Sequence, residues 1–298
     1  MNQENETGVT LLIIDAQNDF HPSLEGVRPM GSLAVSGANE DAQRIANFIE
    51  KSLQDDNDFT IDRIVATLDS HQKLHIAHPK FWTDAKGNNP SPFTLIKSDD
   101  VKDGTWIPRG DLKLPRGTLE AKYYAKNEQE SFNLVEYCTW YGKRLEGSKI
   151  PLCIWPEHCL IGSEGHGIVK EIRSAIDKWS EKTGKSPEFI QKGENLLTEM
   201  YSVMKAEVPI TEETSFNQKL FLSLNESSAI YVCGQALSHC VNYSVMDILG
   251  QMNATDCSKV HILKDCCSSV TGFEKQGADF LVNATGKGAA IVEDSSKI

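Results

Sequence analysis

The chain has 298 residues, of which 40% are hydrophobic and 24% charged, as in an ordinary soluble globular protein with a sizeable core. A formal net charge of -12 argues against a surface for nucleic acid or an anionic membrane, and no apolar run approaches the length of a membrane span. The chain has eight cysteines, none in a CxxC pattern, and its first residues are polar. This pattern predicts free thiols in a reducing compartment, and hence a cytoplasmic protein.

The first strong pattern is the continuous apolar run Val9–Ile14, which predicts a strand buried on both faces. The run ends on Asp15, and Phe20 follows in the same loop. Carboxylates at the carboxyl end of a central parallel strand lie where such sheets bind ligands. Asp15 is therefore a candidate catalytic group, although an aspartate that merely starts a turn would look the same.

After a predicted helix over 40–53, a second apolar run at 61–68 again predicts a buried strand. Asp69 and His71 follow it, and two side chains at this spacing point to the same face, where both can meet one metal ion. His75 and His78 are close enough to compete with His71 as ligands. A polar loop whose histidines bond to the backbone is the alternative.

Residues 79–149 are rich in turn signals and in scattered aromatic side chains, including Tyr124. The turn signals argue against a long regular element, and the aromatics argue against disorder. We therefore predict a folded insertion within a single domain of residues 1–298. It would pack over the main domain as a lid or an interface, without chemistry of its own.

The second half of the chain alternates short apolar runs with helical patterns. A short strand at 152–155 precedes His158, which supplies the third ligand that Asp69 and His71 need for zinc or iron. Lys192 follows a strand at 189–191. Strands at 229–233, 260–263 and 289–292 alternate with helices. This order predicts an α/β fold with a mostly parallel central sheet and helices on both faces.

Cys240 stands where the strand at 229–233 turns at Gly234 and a helical pattern begins. The unpaired N–H groups in the first turn of a helix favour a thiolate and can hold an oxyanion. By itself, such a cysteine is more often a small core residue.

Several stretches together resemble one known family, in its order along nearly the whole chain apart from the insertion. They are IIDAQNDF around Asp15, TLDSHQKLH around Asp69, WPEHC from Trp155, Lys192-Gly193 with EMYS from Glu199, and Gly234-Gln235-Ala236 before Cys240. The family is the isochorismatase-like cysteine hydrolase superfamily, and within it the chain is most similar to nicotinamidases. The resemblance implies a three-layer, Rossmann-like fold.

The resemblance also implies roles for particular residues. Asp15, Lys192 and Cys240 would form the catalytic triad, and the amides of Ala236 and Cys240 the oxyanion hole, near a non-proline cis peptide at 235–236. A divalent metal would bind Asp69, His71 and His158, with zinc favoured and iron or manganese as alternatives. Phe20, Trp155 and His239 would bind the substrate.

The implied function is hydrolysis of nicotinamide to nicotinate and ammonia through a cysteine thioester, a step of NAD salvage in pyridine nucleotide biosynthesis. Three departures from the family, at Ser70, His78 and His239, repolarise the pocket wall and leave another small amide open as the substrate. A catalytically silent binding protein of the same fold is a third reading. The expected partner is a small molecule, and a homo-oligomer is left open. Ser296-Lys297-Ile298 is one step from the SKL peroxisomal signal, so a peroxisomal location is an alternative.

Overall fold

The computed structural model describes residues 8–55, 59–120, 123 and 132–298, and its centre is a six-stranded parallel sheet with the order β10-β9-β8-β1-β2-β7. The strands of the described residues are, in chain order, β1 (Val9–Ile14), β2 (Arg63–Asp69), β3 (Trp82–Thr83), β4 (Leu95–Ile96), β5 (Ile107–Pro108), β6 (Leu152–Cys153), β7 (Glu188–Lys192), β8 (Ala229–Gly234), β9 (Val260–Leu263) and β10 (Ala290–Val292).

Helices cover both faces of this sheet. They are α1 (Ala38–Lys51), α2 (Ser98–Lys102), α3 (Leu134–Gly147), α4 (Lys170–Thr183), α5 (Gln218–Asn225), α6 (Asn242–Gln251), α7 (Ala254–Cys257) and α8 (Glu274–Gly286). Leu11, Leu12, Ile13 and Ile14 are all 0% exposed. Because successive strand residues point to opposite faces, such a run must be covered on both sides. The predicted three-layer α/β fold is thus confirmed.

The insertion differs from its prediction, because it contains the regular 14-residue helix α3. Its apolar face places Tyr137, Cys138, Tyr141 and Leu145 in the core. The Asn133 side chain caps the helix and accepts hydrogen bonds from the N–H groups of Val135 and Glu136. The density of turn signals around it concealed this helical spacing. Tyr124 lies outside the described residues, and the role of the insertion as lid or interface stays a prediction.

The strand predicted at 152–155 is only the two-residue β6, and it does not join the central sheet. It pairs antiparallel with β4 of the insertion instead. Antiparallel strands β3 and β5 form a second small sheet. Within the part of the chain that is described, every helix is too short or too polar to span a bilayer. The peroxisomal reading of the last three residues stays a prediction.

Candidate active site

Four side chains meet at the carboxyl edge of the sheet because the strands that carry them are neighbours, in the order β8-β1-β2-β7. Asp15 directly follows β1, and Asp69 ends β2. Lys192 ends β7 and pairs in register with Asp69. Cys240 follows β8 after a short turn. Residues separated by more than 200 positions in sequence thus share one site, as the parallel topology predicts.

Lys192 is the centre of this group. Its Nζ lies 2.9 Å from Asp15 Oδ2, 3.0 Å from Asp69 Oδ1 and 3.6 Å from Cys240 Sγ. It also donates to the Met200 carbonyl oxygen at 3.1 Å. Burial disfavours the ammonium, but Asp15 and Asp69 outweigh it and hold the pKa of Lys192 well above its ordinary value. The amine is therefore a fixed positive charge between two carboxylates and a thiol.

Asp15 is fully buried, and its backbone adopts a left-handed conformation with a φ of 44°. Such backbone strain clusters at functional sites. Thr67 Oγ1 donates to Asp15 Oδ1 at 2.5 Å and accepts from the Asp15 N–H at 3.0 Å. Burial raises the pKa of Asp15 above its ordinary value, while Lys192 opposes the shift. A carboxyl with a raised pKa holds a proton more readily, which suits a group that takes a proton and later returns it.

Cys240 is brought to Lys192 by a turn that follows β8. Gly234 has a φ of 112°, and a Cβ at this position would clash with the Ile14 carbonyl oxygen. The Gln235–Ala236 peptide is cis, as predicted. Cys240 itself lies in a π-helical turn, Leu237–Val241. The α-helix α6 begins at Asn242, two residues after the predicted start at Cys240.

Cys240 is 7% exposed and lines the pocket. Burial raises its pKa well above the ordinary value, and Lys192 is the group that pulls it down. Among the described residues, no hydrogen-bond acceptor is present for the Ala236 N–H. An unpaired donor beside the thiol is what an oxyanion hole needs.

The predicted metal ligands also converge. The backbone N–H of His71 donates to the Cys159 carbonyl oxygen at 3.0 Å, which holds the loop with His158 against the end of β2. Asp69 Oδ2 lies 3.4 Å from His71 Nδ1 and 3.2 Å from His158 Nε2. Ligands at about 2.0–2.1 Å from a tetrahedral ion lie roughly 3.4 Å from one another, so each histidine is at a suitable distance from Asp69 to share an ion with it.

Hydrogen bonding around these histidines tests whether a cation fits. His158 Nδ1 lies 2.8 Å from the Pro156 carbonyl oxygen, which can only accept, so the proton of the neutral ring sits on Nδ1. The lone pair on Nε2 then faces a carboxylate oxygen of Asp69. His71 is 1% exposed, and neither of its ring nitrogens has a hydrogen-bond partner in the described chain. Two buried imidazoles with lone pairs beside a carboxylate fit a divalent cation.

His75 and His78 have other roles in the same cluster. His75 Nδ1 accepts from the Ala77 N–H at 3.2 Å, and its Nε2 lies 3.1 Å from the Thr198 carbonyl oxygen. Both nitrogens of His75 are therefore engaged. His78 Nδ1 lies 3.2 Å from the Gln72 carbonyl oxygen, and its Nε2 lies 3.4 Å from His158 Nδ1. His78 supports His158 in this arrangement.

Sequence reasoning missed Glu199 as a site residue. The ligand atoms of His71, His75 and Glu199 lie within 4.8 Å of one another, as do those of His71, His78 and His158. Glu199 is 4% exposed, and its Oε1 lies 3.7 Å from His71 Nε2. The residue belongs to the EMYS stretch that carries the family resemblance, but one glutamate in an irregular segment gives no further signal.

An aromatic pocket lies over Cys240. The Trp155 and His239 rings meet edge to face with centroids 5.1 Å apart, and Trp155 Nε1 donates to the Tyr201 hydroxyl at 3.0 Å. Burial lowers the pKa of His239 to about 4, so its ring is neutral at pH 7. The Phe20 ring packs against His158, one of the predicted metal ligands, with the ring centroids 5.5 Å apart. The pocket is lined by all three residues that were predicted to bind substrate, Phe20, Trp155 and His239. Tyr201 also lines it and was not predicted.

No protein-family model and no curated protein sequence matches this chain. Solved structures do match along nearly its whole length. A nicotinamidase and pyrazinamidase from Acinetobacter baumanii is 17% identical, with a TM-score of 0.60, and the match covers 99% of this chain and 100% of that one. The yeast nicotinamidase bound to the inhibitor nicotinaldehyde is also 17% identical, with a TM-score of 0.60, and the match covers 95% of this chain and 99% of that one. The pyrazinamidase of Pyrococcus horikoshii in complex with zinc is 17% identical, with a TM-score of 0.51, and the match covers 95% of this chain and 98% of that one. The chain therefore shares the fold of these nicotinamidases and pyrazinamidases.

Proposed function

We propose that this protein is a cysteine-dependent amide hydrolase that converts nicotinamide to nicotinate and ammonia. The observation that carries the proposal is the position of Lys192 Nζ, 2.9 Å from Asp15 Oδ2 and 3.6 Å from the sulfur of Cys240, which lines an aromatic pocket. A thiol, a carboxyl with a raised pKa and a fixed cation are the groups that acyl transfer through sulfur requires. Proteins with this fold include nicotinamidases, which supports the choice of substrate.

The first half of the reaction forms a thioester. Asp15 takes the proton of the Cys240 thiol while the sulfur attacks the amide carbon. The carbonyl oxygen becomes an oxyanion and accepts hydrogen bonds from the N–H groups of Ala236 and Cys240. Asp15 then gives its proton to the amide nitrogen, the carbon–nitrogen bond breaks, and ammonia leaves. Lys192 stabilises the carboxylate and the thiolate in turn.

The second half releases the acid. Asp15, again a carboxylate, takes a proton from a water molecule as the water oxygen attacks the thioester carbon. The oxyanion re-forms at the same N–H groups and collapses, which breaks the carbon–sulfur bond. The proton held by Asp15 returns to the sulfur, nicotinic acid departs and loses its proton to solvent as nicotinate, and the starting state of the site is restored.

Asp69, His71 and His158 would hold a divalent metal at the side of this pocket. Two imidazole nitrogens and a carboxylate suit zinc, with iron and manganese as alternatives. The zinc complex of a pyrazinamidase of the same fold supports zinc. When bound, such an ion supplies a Lewis acid that orients a ring nitrogen of the substrate. Phe20 and Trp155 would hold the ring between their faces.

Another small amide is the second candidate substrate, favoured by the polar groups in the pocket wall. Ser70 is not among the residues that line this pocket, because its Oγ lies 2.8 Å from His166 Nε2 instead, so the change expected in the pocket wall at this position is not observed. His239 is a neutral imidazole at the pocket wall. A silent binding protein is disfavoured because Asp15, Lys192 and Cys240 are all in place.

The deciding experiment measures ammonia release by metal-replete protein from nicotinamide, pyrazinamide and several unrelated amides. We expect wild type to turn over nicotinamide and Cys240→Ala to lose at least about a thousandfold in kcat. Cys257→Ala is the matched control, since Cys257 is also buried but does not line the pocket. Cleavage of another amide without cleavage of nicotinamide would favour the second candidate. Equal turnover by Cys240→Ala would refute the cysteine mechanism.

A further inference from the structure

His71 lies between two carboxylates, one at each ring nitrogen. Its Nδ1 lies 3.4 Å from Asp69 Oδ2, and its Nε2 lies 3.7 Å from Glu199 Oε1. Both distances exceed the range of a hydrogen bond, and among the described residues neither nitrogen has such a partner. The two sides of the ring are therefore poised for different partners.

Glu199 is itself in need of a partner. It is 4% exposed, and among the described residues His71 is the only side chain within ion-pair distance that is able to carry a positive charge. Its Oε1 accepts from the Met200 N–H at 3.0 Å, whereas its buried Oε2 has no hydrogen-bond partner in the described chain. A buried carboxylate is costly unless a donor or a positive charge faces it. The N–H of a neutral His71 can supply that donor, and a cation bound at the other ring nitrogen would make the N–H more strongly polarised.

We infer that Glu199 is a positioning residue that holds the His71 proton on Nε2 and so leaves the Nδ1 lone pair for the metal beside Asp69 and His158. Histidines bound to metals commonly donate their other N–H to a carboxylate, which fixes the tautomer and the ring orientation. This inference rests on the metal site proposed above. With the proton on Nδ1 instead, the lone pair on Nε2 would face the Glu199 carboxylate, and two hydrogen-bond acceptors would stand opposite each other with no donor between them.

The same geometry argues against Glu199 as a direct ligand in a separate site. A set of His71, His75 and Glu199 would need a lone pair from His75. His75 Nδ1 already accepts from the Ala77 N–H, and its Nε2 donates to the Thr198 carbonyl oxygen. Ligation would break one of these buried bonds. Glu199 therefore acts through His71.

The insertion holds Glu199 in place. The Glu199 N–H donates to the Tyr141 hydroxyl at 2.9 Å, and the Tyr137 hydroxyl donates to the Leu197 carbonyl oxygen at 2.7 Å. Both tyrosines lie on α3 and are 0% exposed. The helix thereby fixes the segment that carries Glu199. The insertion supports the metal ligand through this contact, in addition to any role at the entrance.

Zinc affinity tests the inference. The protein is stripped with a chelator, and zinc is titrated in competition with a chromophoric chelator for wild type, Glu199→Gln and Glu194→Gln. Glu194 is exposed on the same segment and serves as the matched control. We expect Glu199→Gln to weaken binding about 10- to 100-fold, as supporting residues of metal sites do, and Glu194→Gln to stay within twofold of wild type. Equal affinities of Glu199→Gln and wild type would overturn the inference alone. Failure of wild type to bind zinc would overturn the metal site and the inference with it.

A second measurement does not use Glu199→Gln, so it remains informative if thermal denaturation shows that this variant does not fold. Histidine side chains of zinc-loaded wild type are labelled with ¹⁵N, and His71 is assigned by comparison with His71→Gln. The ring should carry its proton on Nε2 and the metal on Nδ1. A proton on Nδ1 would refute the role of Glu199.

Discussion

Lys192 Nζ lies 2.9 Å from Asp15 Oδ2, and neither side chain has any exposed surface. Replacing Lys192 by methionine leaves Asp15 and Asp69 as buried carboxylates without this countercharge. Removing one partner of a buried pair typically costs about 3–5 kcal/mol. We expect Lys192→Met to lower the free energy of unfolding by an amount in this range, measured by urea denaturation at pH 7, and to abolish amide turnover.

The double variant Lys192→Met, Asp15→Asn is the control for this interpretation. It removes one of the two orphaned charges, so it should be more stable than Lys192→Met while remaining inactive. A double variant less stable than the single one would show that the loss comes from packing of the lysine side chain.

The hydrogen bond from Thr67 to Asp15 makes the pH profile testable. This bond lowers the pKa of Asp15 against the effect of burial, so Thr67→Val should raise that pKa further. The base works only when deprotonated, so the acid limb of kcat/KM should move to higher pH. Thr10→Val is the matched control, because Thr10 Oγ1 bonds to Ser227 Oγ at 2.8 Å elsewhere in the core. An acid limb that stays in place in Thr67→Val would argue against Asp15 as the base.

Thiol reactivity separates an active site from a silent fold. The eight cysteines are free and buried, but Cys240 lines the pocket and has an ammonium 3.6 Å from its sulfur. We expect iodoacetamide to modify Cys240 at least about tenfold faster than Cys233 or Cys257, since the thiolate is the reacting species. Peptide mass spectrometry over a time course measures the three rates. A Cys240 rate no higher than the other two would favour the binding protein.

Acid should weaken the fold through His21. Burial lowers the pKa of His21 to about 4, and its Nδ1 lies 2.7 Å from the Gln17 carbonyl oxygen. The unfolded chain, with an ordinary pKa of about 6.5, binds this proton first. The stability that His21 contributes is therefore complete above about pH 6.5 and is lost as the pH falls toward 4, by at most about 1.4 kcal/mol per pH unit.

Urea denaturation between pH 7 and pH 4.5 measures this slope. In His21→Gln the loss of stability per pH unit should be smaller than in wild type by up to that amount. Parallel slopes in the two proteins would show that His21 titrates alike in the folded and unfolded chains.

Much of this protein could be predicted from local patterns. The run Val9–Ile14 predicted β1 with its observed ends, because an uninterrupted apolar stretch of this length suits only a strand covered on both faces. Alternation of strands and helices predicted the parallel sheet, since parallel neighbours need a crossover between them. The topology then required Asp15, Asp69 and Lys192 to meet at one edge.

Features that depend on distant contacts were beyond such patterns. Helix α3 was missed because turn signals surround it, and its tyrosines bond to a segment about 60 residues further on, a contact that no local pattern reveals. Strand β6 was predicted in the central sheet but lies outside it, where it pairs with β4 of the insertion. The choice among His71, His75 and His78 was open in the sequence, since all three have the same chemistry and nearly the same place in the chain.

The sequence by itself determined the six strands of the central sheet, their order along the chain and the side chains with chemistry to offer, because these follow from local hydrophobicity and motif. Only the tertiary structure decided which nitrogen of each histidine carries the free lone pair, and that the Glu199 carboxylate lies beside Nε2 of His71. Those outcomes depend on hydrogen bonds to Pro156, Thr198 and Tyr141, which only the folded chain brings within reach.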